Sequence, residues 1–143
     1  MHDVDTAGLP FPNHHFDCTL CTHVLEHVYD VFGLVNELSR TLKPGGTLLL
    51  AVPNIAFVRH IISLLRDRVP RTGANEIPFS EQQGWDGQHL HYFTRREVVW
   101  LLNKYNINVD KTLNVGKWQM LKTVLPRLLC SGIVVIGTKS PNI

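Results

Sequence analysis

Residues 47–52 read Thr-Leu-Leu-Leu-Ala-Val, an apolar run without polar alternation, bounded by Lys43-Pro-Gly-Gly46 and by Pro53-Asn54. A strand of this kind must be covered on both faces, which selects a sheet with helices packed against it. The flanking segments supply the rest. Residues 16–21 (Phe-Asp-Cys-Thr-Leu-Cys) are short and β-leaning after a Pro/Asn turn. Asp30 stands as an N-cap before Val31, Leu34, Val35, Leu38 and Leu42 at helical spacing, and the helix has to stop at the Lys43-Pro-Gly-Gly46 turn. Asn54 is placed to cap a second helix carrying Ile55, Val58, Ile61, Ile62 and Leu65. Thr94 and Glu97 form a T-x-x-E capping box for a third, running through Val98, Leu101 and Leu102 to Tyr105. Strands over 107–115 and 133–138, with a Pro126-perturbed helix over 117–129 between them, complete an α/β order. Residues 67–93 interrupt it with Pro70, Gly73, Pro78, Gly84 and Gly87, and read as a lid or substrate-binding insertion.

Composition narrows the class. With 143 residues, 44% of them hydrophobic, and only three cysteines, the chain is expected to form one globular domain. It is neither disordered nor a disulfide scaffold. No apolar run approaches the ~18 residues of a spanning helix, no leader sequence is evident, and the cytoplasm is the expected location. Charge is divided unevenly. Residues 1–39 carry six acids (Asp3, Asp5, Asp17, Glu26, Asp30, Glu37) and no Lys or Arg, whereas all 14 basic residues lie from Arg40 onward. Those bases are scattered, so nucleic-acid binding is not expected.

Ligands of α/β sheets sit outside the carboxyl ends of the strands, here after Cys21 and Val52. After Cys21 comes Thr22-His23-Val-Leu-Glu26-His27, with two imidazoles and a carboxylate within five positions. Cys18-Thr-Leu-Cys21 has C-x-x-C spacing, but residues three apart on a strand face opposite sides, so two buried or divergent thiols are expected rather than a redox pair. His23-Val-Leu-Glu26-His27 matches H-x-x-E-H, the pattern of a zinc hydrolase, which needs a helix to bring both histidines to one face.

Leu9-Pro-Phe-Pro12, Phe16-Asp17, His23-Val-Leu-Glu26-His27, Leu42-Lys-Pro-Gly-Gly46, Val52-Pro53-Asn54 and Asp86-Gly-Gln-His89-Leu-His91-Tyr-Phe93-Thr94 follow one another in an order that resembles class I S-adenosylmethionine-dependent methyltransferases. The resemblance covers nearly the whole chain. It implies a Rossmann-like α/β sheet with helices on both faces and an antiparallel last strand. The glycine-rich first half of that family is not found, so residues 1–143 resemble an N-terminally truncated, partial methyltransferase domain.

The same resemblance implies S-adenosyl-L-methionine as cofactor, with Asp3 or Asp5 accepting the adenine amine and Cys21, Thr22 and His23 meeting the methionine part. It implies a small-molecule acceptor, small or medium and polar, a hydroxyl being one option. His23, Glu26, His27 and His91 are then the catalytic candidates, because imidazole is suited to removing a proton near neutral pH. Asn54, His89 and Tyr92 are the substrate-binding candidates. A similar Glu-x-x-Glu-His segment holds a divalent metal in some relatives; here the first position is His23, and a metal is not the favoured expectation. The alternatives are a noncatalytic remnant or interaction module, self-associating through an exposed sheet edge, and the metal-dependent hydrolase using His23, Glu26 and His27.

Overall fold

The computed structural model describes residues 4–73, 89–115, 125 and 128–141, without the side chains of Thr6 and Asn114. In chain order the elements are α1 (Val4–Ala7), β1 (Phe16–Thr22), α2 (Val31–Thr41), β2 (Leu42–Pro53), α3 (Val58–Leu65), α4 (Arg95–Lys104), β3 (Ile107–Val115) and β4 (Gly132–Lys139). They build one sheet in the order β1-β2-β4-β3. β1 and β2 run parallel, and β4 is antiparallel to both β2 and β3. The Rossmann-like α/β expectation with an antiparallel last strand is met.

The apolar run after Lys43-Pro-Gly-Gly46 occupies the middle of the sheet, paired on both edges. Leu48, Leu50 and Val52 project to one face and are buried with Val31, Leu34, Val35 and Leu38 of α2 and Val98, Leu101 and Leu102 of α4. On the other face Leu49, Val134 and Ile136 are half-buried and Leu20 of β1 is 69% exposed. Asp30 caps α2 as read from sequence, its Oδ1 accepting from Gly33 N at 2.8 Å. The Thr94/Glu97 capping box opens α4, with Thr94 N donating to Glu97 Oε2 at 2.8 Å. At the far end of α2, the buried Lys139 donates to Ser39 O (2.7 Å) and Leu42 O (3.0 Å), a cation placed on carbonyls that the helix leaves unsatisfied.

Three local expectations are corrected. Lys43-Pro-Gly-Gly46 does not separate helix from strand. β2 already pairs at Phe16↔Leu42, and the motif bulges out before pairing resumes at Cys18↔Thr47, with Gly45 at φ 77°. Asn54 does not cap a helix: α3 starts at Val58 with Phe57 as its N-cap, because the Asn54 side chain is used in a turn, accepting from Ala56 N at 3.1 Å. Ile55 therefore lies outside the helix. Of the expected lid over 67–93, residues 74–88 lie outside the described residues, as does most of the helix read over 117–129. At its described end, Leu125 O accepts from Leu128 N and Leu129 N in a single turn.

The C-x-x-C thiols diverge. Cys18 is exposed, while Cys21 and Cys130 are buried. Burial, aided by the nearby Glu26 charge, pushes the Cys21 thiol up to about 11. At pH 8 a thiol reagent is expected to label Cys18 first and to reach Cys21 and Cys130 only after unfolding; mass spectrometry of partially alkylated protein checks this.

Arg40 ties the segment before β1 to α2. Its guanidinium donates to both Glu37 oxygens at 2.7 Å, to Leu9 O at 3.0 Å, to Phe11 O at 2.9 Å and to Asn13 Oδ1 at 2.8 Å. Leu9 N returns a bond to Glu37 Oε2 at 2.8 Å. Hydrogen bonding from Arg40 holds the Glu37 carboxyl below its ordinary value of 4.5. A lowered carboxyl stabilises the fold above its unfolded pKa and loses that contribution as the pH falls. Arg40→Met is expected to cost about 1 kcal/mol at pH 7, a difference that shrinks in denaturant titrations below pH 4.5.

Candidate functional site

Because β1 and β2 are parallel, Thr22 and Pro53 end at the same edge of the sheet, with Thr22 paired to Ala51. His23 continues the ladder by one bond, its N–H donating to Ala51 O at 2.9 Å, and then takes φ 54°. That left-handed step turns the chain out of the sheet into a loop over 23–30. The loop is anchored by Leu25 and Val28, both in the core. Between them Glu26 is pulled inward to 1% exposure while His23 and His27 stay outside.

Glu26 organises the site. Its Oε1 lies 3.1 Å from His23 Nδ1, and its main-chain carbonyl accepts from Leu90 N (2.7 Å) and His91 N (3.2 Å). Those two backbone bonds bring residues 89–91 against the loop after β1. The His89 ring consequently sits 4.7 Å from that of His27, edge to face, and the Thr72 hydroxyl is hydrogen-bonded to His89 Nδ1. One ligand atom each from Glu26, His27 and His89 lie within 4.8 Å of one another. Glu26 Oε2 is buried with no hydrogen-bond partner among the described residues. An ionised carboxylate in that position is costly unless a cation or a proton donor meets it. The arrangement can therefore attract positive charge, accept a proton on an imidazole, or hold a divalent ion.

Asn54 closes the end of β2. It is 3% exposed, and its amide Nδ2 donates to Cys130 O at 2.8 Å while its main-chain N–H donates to Ser131 O at 2.9 Å. Asn54 also forms a parallel bridge with Phe93, supported by Ile55 N donating to Phe93 O at 3.1 Å. The residue expected to touch substrate is thus a peg joining the ends of β2, β4 and the segment entering α4. Tyr92 beside it is 42% exposed, and the His91 ring lies 6.4 Å from that of Phe93.

Of the adenine candidates, Asp3 lies outside the described residues. Asp5 Oδ1 accepts from Tyr29 N and Asp30 N, both at 3.0 Å, and so fastens α1 to the start of α2. Cys21 is in the core, leaving its main chain as the part that faces the site. The H-x-x-E-H segment is a turn, with His27 N donating to Val24 O, and His23 is not in the three-residue cluster. The helical two-histidine face of the hydrolase reading is absent from the described residues. The meeting of His89 with His27 was not derivable from spacing; its signal was the Asp86-x-x-His89-Leu-His91 resemblance alone.

A family model described as a methyltransferase domain matches residues 1–112. The chain belongs to the methyltransferase domain family, with the fold of class I S-adenosylmethionine-dependent enzymes. Among curated relatives, the ubiquinone/menaquinone biosynthesis C-methyltransferase UbiE of Francisella tularensis subsp. novicida is 35% identical over 71 residues, 50% of this chain and 27% of that protein. The corresponding protein of Pseudomonas putida KT2440 is 41% identical over 46 residues, 32% of this chain and 18% of its own length. Among solved structures, a SAM-dependent methyltransferase from Methanosarcina mazei superposes with TM-score 0.63 at 20% identity, over 97% of this chain and 65% of that one. The Burkholderia thailandensis 1,6-didemethyltoxoflavin-N1-methyltransferase, with bound 1,6-didemethyltoxoflavin and S-adenosylhomocysteine, gives 0.55 at 16%, over 90% and 45%. The chain therefore spans less than two thirds of the length of these proteins.

Glu26→Gln removes the buried charge and supplies a donor. It is expected to raise stability by about 1 kcal/mol, read as a higher midpoint in denaturant, because the wild-type carboxylate is poorly satisfied. Asn54→Ala removes the hydrogen bonds to the Cys130 carbonyl and from the Ala56 N–H, and is expected to cost about 1–3 kcal/mol by the same measurement.

Proposed function

We propose that this chain is part of an S-adenosylmethionine-dependent methyltransferase that acts on a small or medium polar acceptor, with the acceptor side of the site built from the ends of β1 and β2 and from residues 89–92. The observation that carries this reading is the buried Glu26 carboxylate flanked by His23, His27 and His89 where the fold family binds ligands. When bound, S-adenosylmethionine supplies a methyl group on a sulfonium, which in-line displacement moves to the acceptor. The main chain of Cys21, Thr22 and His23 holds the methionine part, and Asp3 or Asp5 the adenine amine. The negative charge of Glu26 favours a cation at this edge of the sheet.

Positioning does most of the work in such a displacement. An acceptor hydroxyl also has to lose its proton, and His27, His89 or His91 receives it on an imidazole nitrogen. Tyr92 lines the acceptor, with Asn54 holding the strand ends in place behind it. The UbiE relatives are C-methyltransferases by name and the Burkholderia protein an N1-methyltransferase, so carbon and nitrogen acceptors belong to the same proposal. Calorimetry with S-adenosylmethionine and S-adenosylhomocysteine on the native protein is expected to give one-to-one binding; no heat with either ligand overturns the reading in favour of a noncatalytic, self-associating remnant. His27→Ala is expected to lower the transfer rate about 100-fold or more while cofactor affinity changes little.

Glu26 Oε2, without a hydrogen-bond partner among the described residues, favours a second reading, in which Glu26, His27 and His89 hold a divalent cation. Two imidazoles and one carboxylate suit zinc or manganese better than magnesium. Titration with zinc is expected to show one site that Glu26→Gln removes; zinc binding unaltered in that variant excludes these ligands.

A further inference from the structure

We propose that α3 and the arginine-rich turn after it dock this protein on an anionic lipid bilayer. At 100° per residue, Val58, Ile61, Ile62 and Leu65 fall on one side of α3, and His60 falls on the other. The burial does not follow that division. His60 is the buried residue of the helix, 9% exposed, with its ring 5.5 Å from that of Phe57. On the apolar side Val58 and Ile61 are half-buried, while Ile62 is 40% exposed and Leu65 82%; Leu64 at 59% and Val69 at 42% are exposed on the same segment. Four exposed aliphatic side chains within residues 62–69 mark a surface that meets another phase.

Charge identifies that phase. Residues 57–73 contain Arg59, Arg66, Arg68 and Arg71 against the single acid Asp67. Arg59 and Arg66 are both exposed and lie seven residues apart, along one flank of the apolar side. Arginine stems are apolar and their heads cationic, so a rim of them fits the boundary where phosphate groups overlie acyl chains. An eight-residue helix cannot cross a membrane, and among the described residues no helix is long and apolar enough to do so. It can lie in the interface with its apolar side inserted. Only the turn over 54–57 separates α3 from the end of β2, so docking brings that end of the sheet towards the lipid surface. The inference rests on α3 and its flank alone and stands apart from the methyl-transfer reading.

Flotation of the native protein with vesicles tests it. The protein is expected to float with phosphatidylcholine vesicles containing phosphatidylglycerol, to stay behind with phosphatidylcholine alone, and to be released by raised salt. Leu65→Glu, and separately Arg59→Glu with Arg66→Glu, are expected to weaken binding about tenfold or more. Both are exposed substitutions, and an unchanged far-UV circular dichroism spectrum confirms that each variant is folded. Cofactor calorimetry on the same variants is expected to match the native protein, which separates lipid docking from the catalytic reading. Absence of flotation overturns the proposal, as does binding indifferent to both variants. A concentration-dependent dimer that Leu65→Glu abolishes, with no vesicle binding, also overturns it and assigns the face to a second copy.

Discussion

β2 is hydrogen-bonded along both edges, and that double pairing sets the position of everything else in the site. Thr22 pairs with Ala51 on one side while Gly132 pairs with Pro53 on the other, so the ends of β1, β2 and the start of β4 are fixed together. A slip of one residue would turn Leu48, Leu50 and Val52 out of the core, a loss no loop contact could offset. The loop carrying His23, Glu26 and His27 and the peg at Asn54 are consequences of that register. They need no binding energy of their own to be brought within reach.

Two buried ionic groups sit at different places in the fold and are treated in opposite ways. Lys139 is satisfied by Ser39 O and Leu42 O, carbonyls at the end of α2, so its charge contributes to holding helix and sheet together. Glu26 has one oxygen near His23 and the other without a hydrogen-bond partner among the described residues. An arrangement of the second kind costs stability unless a cation or a proton donor meets that oxygen.

What the sequence made legible was governed by local physics. The Asp30 cap, the Thr94/Glu97 box and the two strands at 47–52 and 133–138 rest on short-range hydrogen bonding and periodicity, and all appear where expected. The opposite facing of Cys18 and Cys21 follows from the two-residue repeat of a strand. Asn54 misled because an Asx side chain serves a turn as readily as a helix cap. The inward rotation of His60 contradicts the apolar periodicity of α3, which reports the helix but not which side faces the protein. His89 reached His27 through main-chain bonds to Glu26 across more than sixty positions, and nothing local encodes such a contact.

The antiparallel direction of β4 has a consequence for how the molecule is made. Running against its neighbours, β4 begins at the end of the sheet where the candidate site lies, so the Cys130 carbonyl that holds Asn54 comes from 76 positions further along the chain, with that of Ser131 next to it. During synthesis the loop after β1 and the whole of β2 emerge well before those acceptors exist. Until residues 130–139 leave the ribosome, the central strand has a bare edge and the Asn54 amide lacks the Cys130 carbonyl it donates to. The candidate site is therefore completed only once β4 has emerged, and a chain stopped before β4 has the loop after β1 but not the strand that holds the end of β2.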